Sequence, residues 1–227
     1  MQLSTKYGFA FLCMPKCAST SIESALSRFC NIQYSGHPGL KHLNAKTFVD
    51  SILPVHRKLV PAAHMESICL MRDPLDWIES WYRYRHRDGL RNPNHPNHLN
   101  STWNMSYDEF IAEYVAEGPR KPYANLGTQF RFLTLGDGQV GIDHIIPMNR
   151  IDLFEDFISE KLGERISIPS KNTSAKMNLS IEDPTLEFKL NKHFAQDIIL
   201  YNFIKENEGF NKKLHSNEIF AALQFCS

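Results

Sequence analysis

Residues 8–14, GFAFLCM, are apolar at successive positions over a short run, the pattern of a strand buried on both faces. The next apolar positions, Ile22, Leu26 and Phe29, recur at helical spacing and predict a helix over 19–30. A second buried strand is predicted for ESICLM, residues 66–71. Asp73 as N-cap and Pro74 at the first helical position then open a helix in DPLDWIESWYRYR. Residues 88–104, DGLRNPNHPNHLNSTWN, lose all periodicity and read as a long surface loop, a type often functional. SYDEFIAEYVAEG predicts an amphipathic helix closed by Gly118, DHIIPM a strand, and RIDLFEDFISEKLG a helix ending at Gly163. Residues 166–180 read as loop and roughly 184–207 as the last long helix. Strands alternating with helices predict one α/β domain over 1–227, with a central parallel sheet flanked by helices. Ligands of such sheets sit at the carboxyl ends of the strands. The loops after residues 14 and 71 both leave from such ends, so they can face one ligand.

Composition narrows the ligand. The 25 Lys and Arg balance 25 Asp and Glu, so any anion site is local, and bulk adhesion to nucleic acid or membrane is not expected. The odd set Cys13, Cys17, Cys30, Cys69 and Cys226 has no regular spacing, which argues against a disulfide framework. Cys13 and Cys17 lack the further partners a zinc site needs. Cys17, beside Lys16 and near a helix N-terminus, is either an acidified thiol or a small loop residue. No run approaches the ~20 apolar residues of a membrane span and no signal peptide is evident, so a cytoplasmic setting is expected.

Two stretches carry chemistry. In PKCASTS, residues 15–21, small residues let the backbone approach an anion at a helix N-terminus, Ser19, Thr20 and Ser21 add hydroxyls, and Lys16 adds a mobile charge. The plainer alternative is a helix capped by Ser19 with Lys16 in solvent. In RDPLDWIESWYRYR, residues 72–85, Arg72 ends a strand where its guanidinium can grip a phosphate, and Ser80 follows about two turns along the helix. The alternative there is an ordinary N-capped helix with Arg72 paired to a carboxylate. A kinase-type loop, G-x-x-x-x-G-K-[ST], is absent from the chain.

Together the two stretches resemble the sulfotransferases that use 3′-phosphoadenosine 5′-phosphosulfate (PAPS), and PKCASTS is most similar to the loop of the heparan sulfate 2-O-sulfotransferase branch and related carbohydrate sulfotransferases. The resemblance implies a P-loop-like fold and sulfuryl transfer from PAPS, with adenosine 3′,5′-bisphosphate as product and no metal. It assigns Lys16, Cys17, Ala18, Ser19, Thr20 and Ser21 to the 5′-phosphosulfate and Arg72 with Ser80 to the 3′-phosphate. It adds Asn172 and Ser174 from the segment IPSKNTSAK, residues 168–176, which precedes the DIILY of 197–201. Ala18 stands where the loop usually has glycine, as in the 2-O-sulfotransferase-like branch. Lys16 is implied to act on the leaving group and His42, between the two motifs, to serve as general base, with His37 and Glu23 as the other candidates. The implied acceptor is a hydroxyl or amine on a carbohydrate or small metabolite, with 88–104 on the acceptor side. Arg83, Arg85, Arg87 and Arg91, interleaved with Tyr82 and Tyr84, form either an anionic-sugar surface or a solvated helix face. A nucleotide kinase and a catalytically silent nucleotide-binding domain are the competing classes.

Overall fold

Six short strands form the sheet in a computed structural model that describes residues 1–62, 64–169, 177 and 179–224: β1 Gln2–Ser4, β2 Phe9–Phe11, β3 Ile32–Gln33, β4 Glu66–Met71, β5 His144–Pro147 and β6 Phe210–Asn211. Their spatial order is β3-β1-β2-β4-β5-β6. The middle strands β2, β4 and β5 run parallel, with Phe9 opposite Glu66 and Ile68 opposite His144. The sheet is nevertheless mixed, a correction to the parallel sheet expected. β1 pairs antiparallel with β2 and with β3, and β6 pairs antiparallel with β5. The cause of the first reversal is a tight turn in which the Gly8 amide donates to the Ser4 carbonyl at 2.9 Å. Gly8 sits at φ 67°, and a Cβ there would lie 2.5 Å from the His64 carbonyl oxygen, so only glycine fits. Lys6 and Tyr7 interrupt the apolar run, which hides β1 in the sequence although Gln2, Leu3 and Ser4 are all buried.

The helices flanking this sheet are α1 Ser19–Leu26, α2 Pro38–Lys41, α3 Ala45–Thr47, α4 Leu53–Leu59, α5 Pro74–Arg85, α6 Tyr107–Tyr114, α7 Gln129–Leu133, α8 Ile151–Leu162, α9 Pro184–His193, α10 Ala195–Glu206 and α11 Lys212–Gln224. A π-helical turn, Phe48–Ile52, joins α3 to α4. α5 starts as its sequence demands: the Asp73 carboxylate accepts from the Leu75 and Asp76 amides at 3.0 and 3.2 Å, and Pro74 is the first helical residue. α6 carries a reciprocal cap, in which Ser106 Oγ accepts from the Glu109 amide and Glu109 accepts from the Ser106 amide. Such a cap contributes about 1 kcal/mol. α8 ends at Gly163 in the left-handed region, φ 70°. The single helix expected over 184–207 is two helices. Phe194 breaks it at φ −97°, ψ 11°, because its fully buried ring packs against Trp77 and Tyr114.

Residues 88–104 form a loop with short 3-10 turns at Asp88–Leu90 and His98–Asn100. It is pinned to α5 by Thr102, whose amide donates to the Arg85 carbonyl and whose hydroxyl donates to that of Tyr82. Trp103 lies between Arg91 and His86. Among the described residues, no helix is long and apolar enough to cross a membrane.

Candidate functional site

The chain after β2 enters a loop that two residues hold in a costly conformation. Lys16 and Ala18 both take left-handed backbone angles, φ 65° and 53°, which ordinary L-residues avoid. Three contacts hold the strained loop in place. Trp77 Nε1 donates to the Pro15 carbonyl at 2.9 Å, Arg72 Nη1 reaches the Lys16 carbonyl at 3.5 Å, and Cys17 Sγ donates to Gln129 Oε1 at 3.4 Å. α1 then begins without a side-chain cap. Among the described residues, the amides of Lys16, Cys17, Ala18, Ser19 and Thr20 donate to no protein acceptor. Five successive free N–H groups at a helix N-terminus make the loop locally electropositive. Thr20 is exposed there, whereas Ser19 and Ser21 are buried.

Cations gather over the same loop. Lys16 Nζ lies 4.1 Å from the centre of the Tyr84 ring and 5.9 Å from that of Trp81, and Arg87 stacks on Tyr84 at 3.7 Å. Neither Lys16 nor Arg87 has a carboxylate at ion-pair distance among the described residues. Burial, with Arg87 and Arg72 nearby, pushes the Lys16 ammonium down to about 8. Arg72, one residue past β4, is 3.5 Å from Asp76, and its Nε is buried without a partner. Asp76 and Ser80 lie on one face of α5 at i, i+4 spacing. Ser80 is buried and its hydroxyl makes no hydrogen bond among the described residues. Thus the structure brings Lys16 to Ser21 and Arg72 together at the carboxyl ends of β2 and β4. Asn172 and Ser174 lie outside the described residues.

His42 caps the C-terminus of α2, and its Nδ1 is 2.6 Å from the Cys13 carbonyl, just past β2. A carbonyl accepts only, so Nδ1 carries the proton and Nε2 keeps its lone pair. Burial lowers the pKa of this imidazole, against the upward pull of the Cys13 carbonyl, which keeps it neutral near pH 7. His42 lines a cavity of about 710 Å³ with Asn44, Arg120, Asn125, Thr128 and Arg131. That cavity is not lined by Lys16, Arg72 or Ser80, so base and cations face different spaces. The other base candidates are engaged elsewhere: Glu23 pairs with Lys41 at 2.8 Å, and His37 Nδ1 accepts from the Gly39 amide.

Two alternatives left open by the sequence are decided. The Cys17 thiol is not acidified; full burial pushes it up to about 12 despite Arg72 and Lys16, leaving only its amide for the loop. The interleaved arginines are mostly structural. Arg83 pairs with Glu79, Arg91 pairs with Asp88, Arg85 is buried and donates to the Pro122 and Tyr123 carbonyls, and Tyr82 donates to the Met105 carbonyl. Among the described residues, only Arg87 of the four is unpaired by a protein anion or carbonyl. Gln129, Arg120 and Arg131 were not singled out in the sequence, because they sit in a stretch without a motif or an apolar period.

The chain was compared with protein-family models, curated proteins and solved structures, and none matches it significantly.

Proposed function

We propose that this chain is a PAPS-dependent sulfotransferase acting on a hydroxyl or amine acceptor, a carbohydrate or small metabolite. One observation carries the reading: the uncapped α1 loop and Arg72, 56 positions apart in the chain from Lys16, meet through the 3.5 Å contact of Arg72 with the Lys16 carbonyl. The donor set suits a nucleotide with two separate anionic groups. Free amides and Lys16 match a 5′-phosphosulfate, and a guanidinium with an unpartnered Nε, with Ser80 on the following helix, suits a 3′-phosphate.

PAPS, when bound, supplies a sulfuryl group on an activated phosphate–sulfate anhydride. The acceptor oxygen or nitrogen would form the new bond to sulfur as the bond from sulfur to the bridging oxygen breaks, with adenosine 3′,5′-bisphosphate as the leaving group. Lys16 would neutralise the charge that grows on the bridging oxygen, and the amides of residues 16–20 would hold the 5′-phosphate and the equatorial sulfuryl oxygens. His42 Nε2 takes the acceptor proton, its tautomer fixed by Cys13. The cavity beside His42 holds the acceptor. Arg120 and Arg131 line it without carboxylate partners among the described residues, which suits an acceptor bearing negative charge. The test is thermal stabilisation. Adenosine 3′,5′-bisphosphate at 100 times its Kd is expected to stabilise by ~2.7 kcal/mol, with less from ATP or AMP at the same concentration. Stabilisation by ATP alone would move the protein to the nucleotide kinases.

A further inference from the structure

The two anion-binding segments come from distant parts of the chain, and one buried side chain joins them. Gln129, fully buried at the start of α7, donates from Nε2 to the Arg72 carbonyl at 2.7 Å. Its Oε1 accepts from the Arg72 amide at 2.9 Å and from Cys17 Sγ at 3.4 Å. One amide thus fixes Arg72 by a two-point backbone clamp and ties the strained loop to it through Cys17. Gln129 is itself held from below. Asp197 on α10 is 2% exposed, and its Oδ1 accepts from the Phe130 amide at 2.8 Å. The Thr128 side chain and the Gln129 amide also face this carboxyl. Thr128 in turn caps α7 and lines the cavity beside His42. A glutamine able to donate and accept at once is the side chain this place needs: Glu would lose the donor, and Met both.

We propose that Gln129, seated by Asp197, is a positioning residue that sets the spacing between the α1 loop and Arg72, and so the preference for a nucleotide carrying both a 5′- and a 3′-phosphate. This rests on the reading of the two segments as one nucleotide site. Gln129 itself touches no nucleotide in this account. Its effect is therefore on the advantage of the second phosphate, rather than on the hold on either phosphate alone.

The experiment measures the affinities of adenosine 3′,5′-bisphosphate and of AMP by calorimetry, well below the melting temperature of each protein. In the parent the ratio favours the bisphosphate. Gln129→Met is expected to lower that ratio about tenfold and to leave AMP affinity within about twofold, the loss of three buried hydrogen bonds to the two positioned segments. Gln129→Glu, which keeps the acceptor, is expected to fall between, and it serves if the methionine variant does not fold. Asp197→Ala should lower the ratio too, and Asp197→Asn, which still accepts from Phe130, should restore it. A Gln129→Met or Gln129→Glu protein with the parental ratio overturns the inference while leaving the site reading intact. So does an equal loss for both ligands, the mark of a purely structural role. A parent that binds neither nucleotide overturns both.

Discussion

Raising the pH should weaken nucleotide binding through Lys16. In the free protein this ammonium is held down to about 8, first by burial, then by Arg87 and Arg72. A bound phosphosulfate or phosphate supplies the missing counter-charge and raises the pKa again. A group whose pKa rises on binding contributes affinity that is fully present below its free-state value and is lost as pH rises through it. With a free pKa near 8, Lys16 is about nine-tenths charged at pH 7 and about one-tenth at pH 9, so the affinity for adenosine 3′,5′-bisphosphate should fall about tenfold between them. Few other groups titrate in that window. Phosphate second ionisations lie near ~6, the buried Cys13 and Cys17 thiols are pushed up to about 12, and Asp197 titrates at about 7. The assay is calorimetric Kd at constant ionic strength from pH 7 to 9.5, for the parent and for Lys16→Arg, whose charge does not titrate there. A flat parental profile, or the same slope in Lys16→Arg, would refute the placement of Lys16 against the anion.

Arg72→Ala should cost on the order of 2–5 kcal/mol of bisphosphate affinity, since a largely buried guanidinium loses its anion; equilibrium binding checks it, and unchanged affinity means the motif is misread. His42→Ala should slow transfer to an alcohol by ~10²–10⁴-fold and to an acidic phenol much less, with bisphosphate affinity unchanged; parallel kinetics on the two acceptors decide, and equal losses remove the base role. Asp197→Asn should raise the melting temperature at pH 8 and do so progressively less toward pH 4. Burial lifts this carboxyl from the ordinary carboxylate range to about 7, so its contribution to stability is fully present below that range and is lost as pH rises from there through 7; melting curves from pH 4 to 8 test the sign.

The parts of this protein that were legible in its sequence are those where local chemistry agrees with the fold. Asp73-Pro74 specified a helix start, Gly163 a helix end, and the apolar runs ending at Met14 and Met71 marked β2 and β4, whose carboxyl ends carry the site. The antiparallel strands β1, β3 and β6 were not legible, because each has two or three residues and no longer apolar run marks it as 8–14 marks β2. The break at Phe194 was hidden for another reason: nothing local interrupts a helical pattern there, and tertiary packing of the ring decides it. The candidate site divides the same way. Lys16, Arg72 and His42 stand out by residue type and position, whereas Gln129 acts through buried contacts to segments 57 and 112 positions away. The interleaved Arg and Tyr residues left two readings open in the sequence, since their carboxylate and carbonyl partners on the same helix and in the 105–123 stretch are not visible there.

The central claim is that one nucleotide bridges the α1 loop and Arg72. A crystal structure with adenosine 3′,5′-bisphosphate tests it most directly. The 5′-phosphate is expected on the amides of residues 16–20 beside Lys16, and the 3′-phosphate on Arg72 and Ser80. A bisphosphate bound elsewhere, or seated with either phosphate away from these groups, would contradict it.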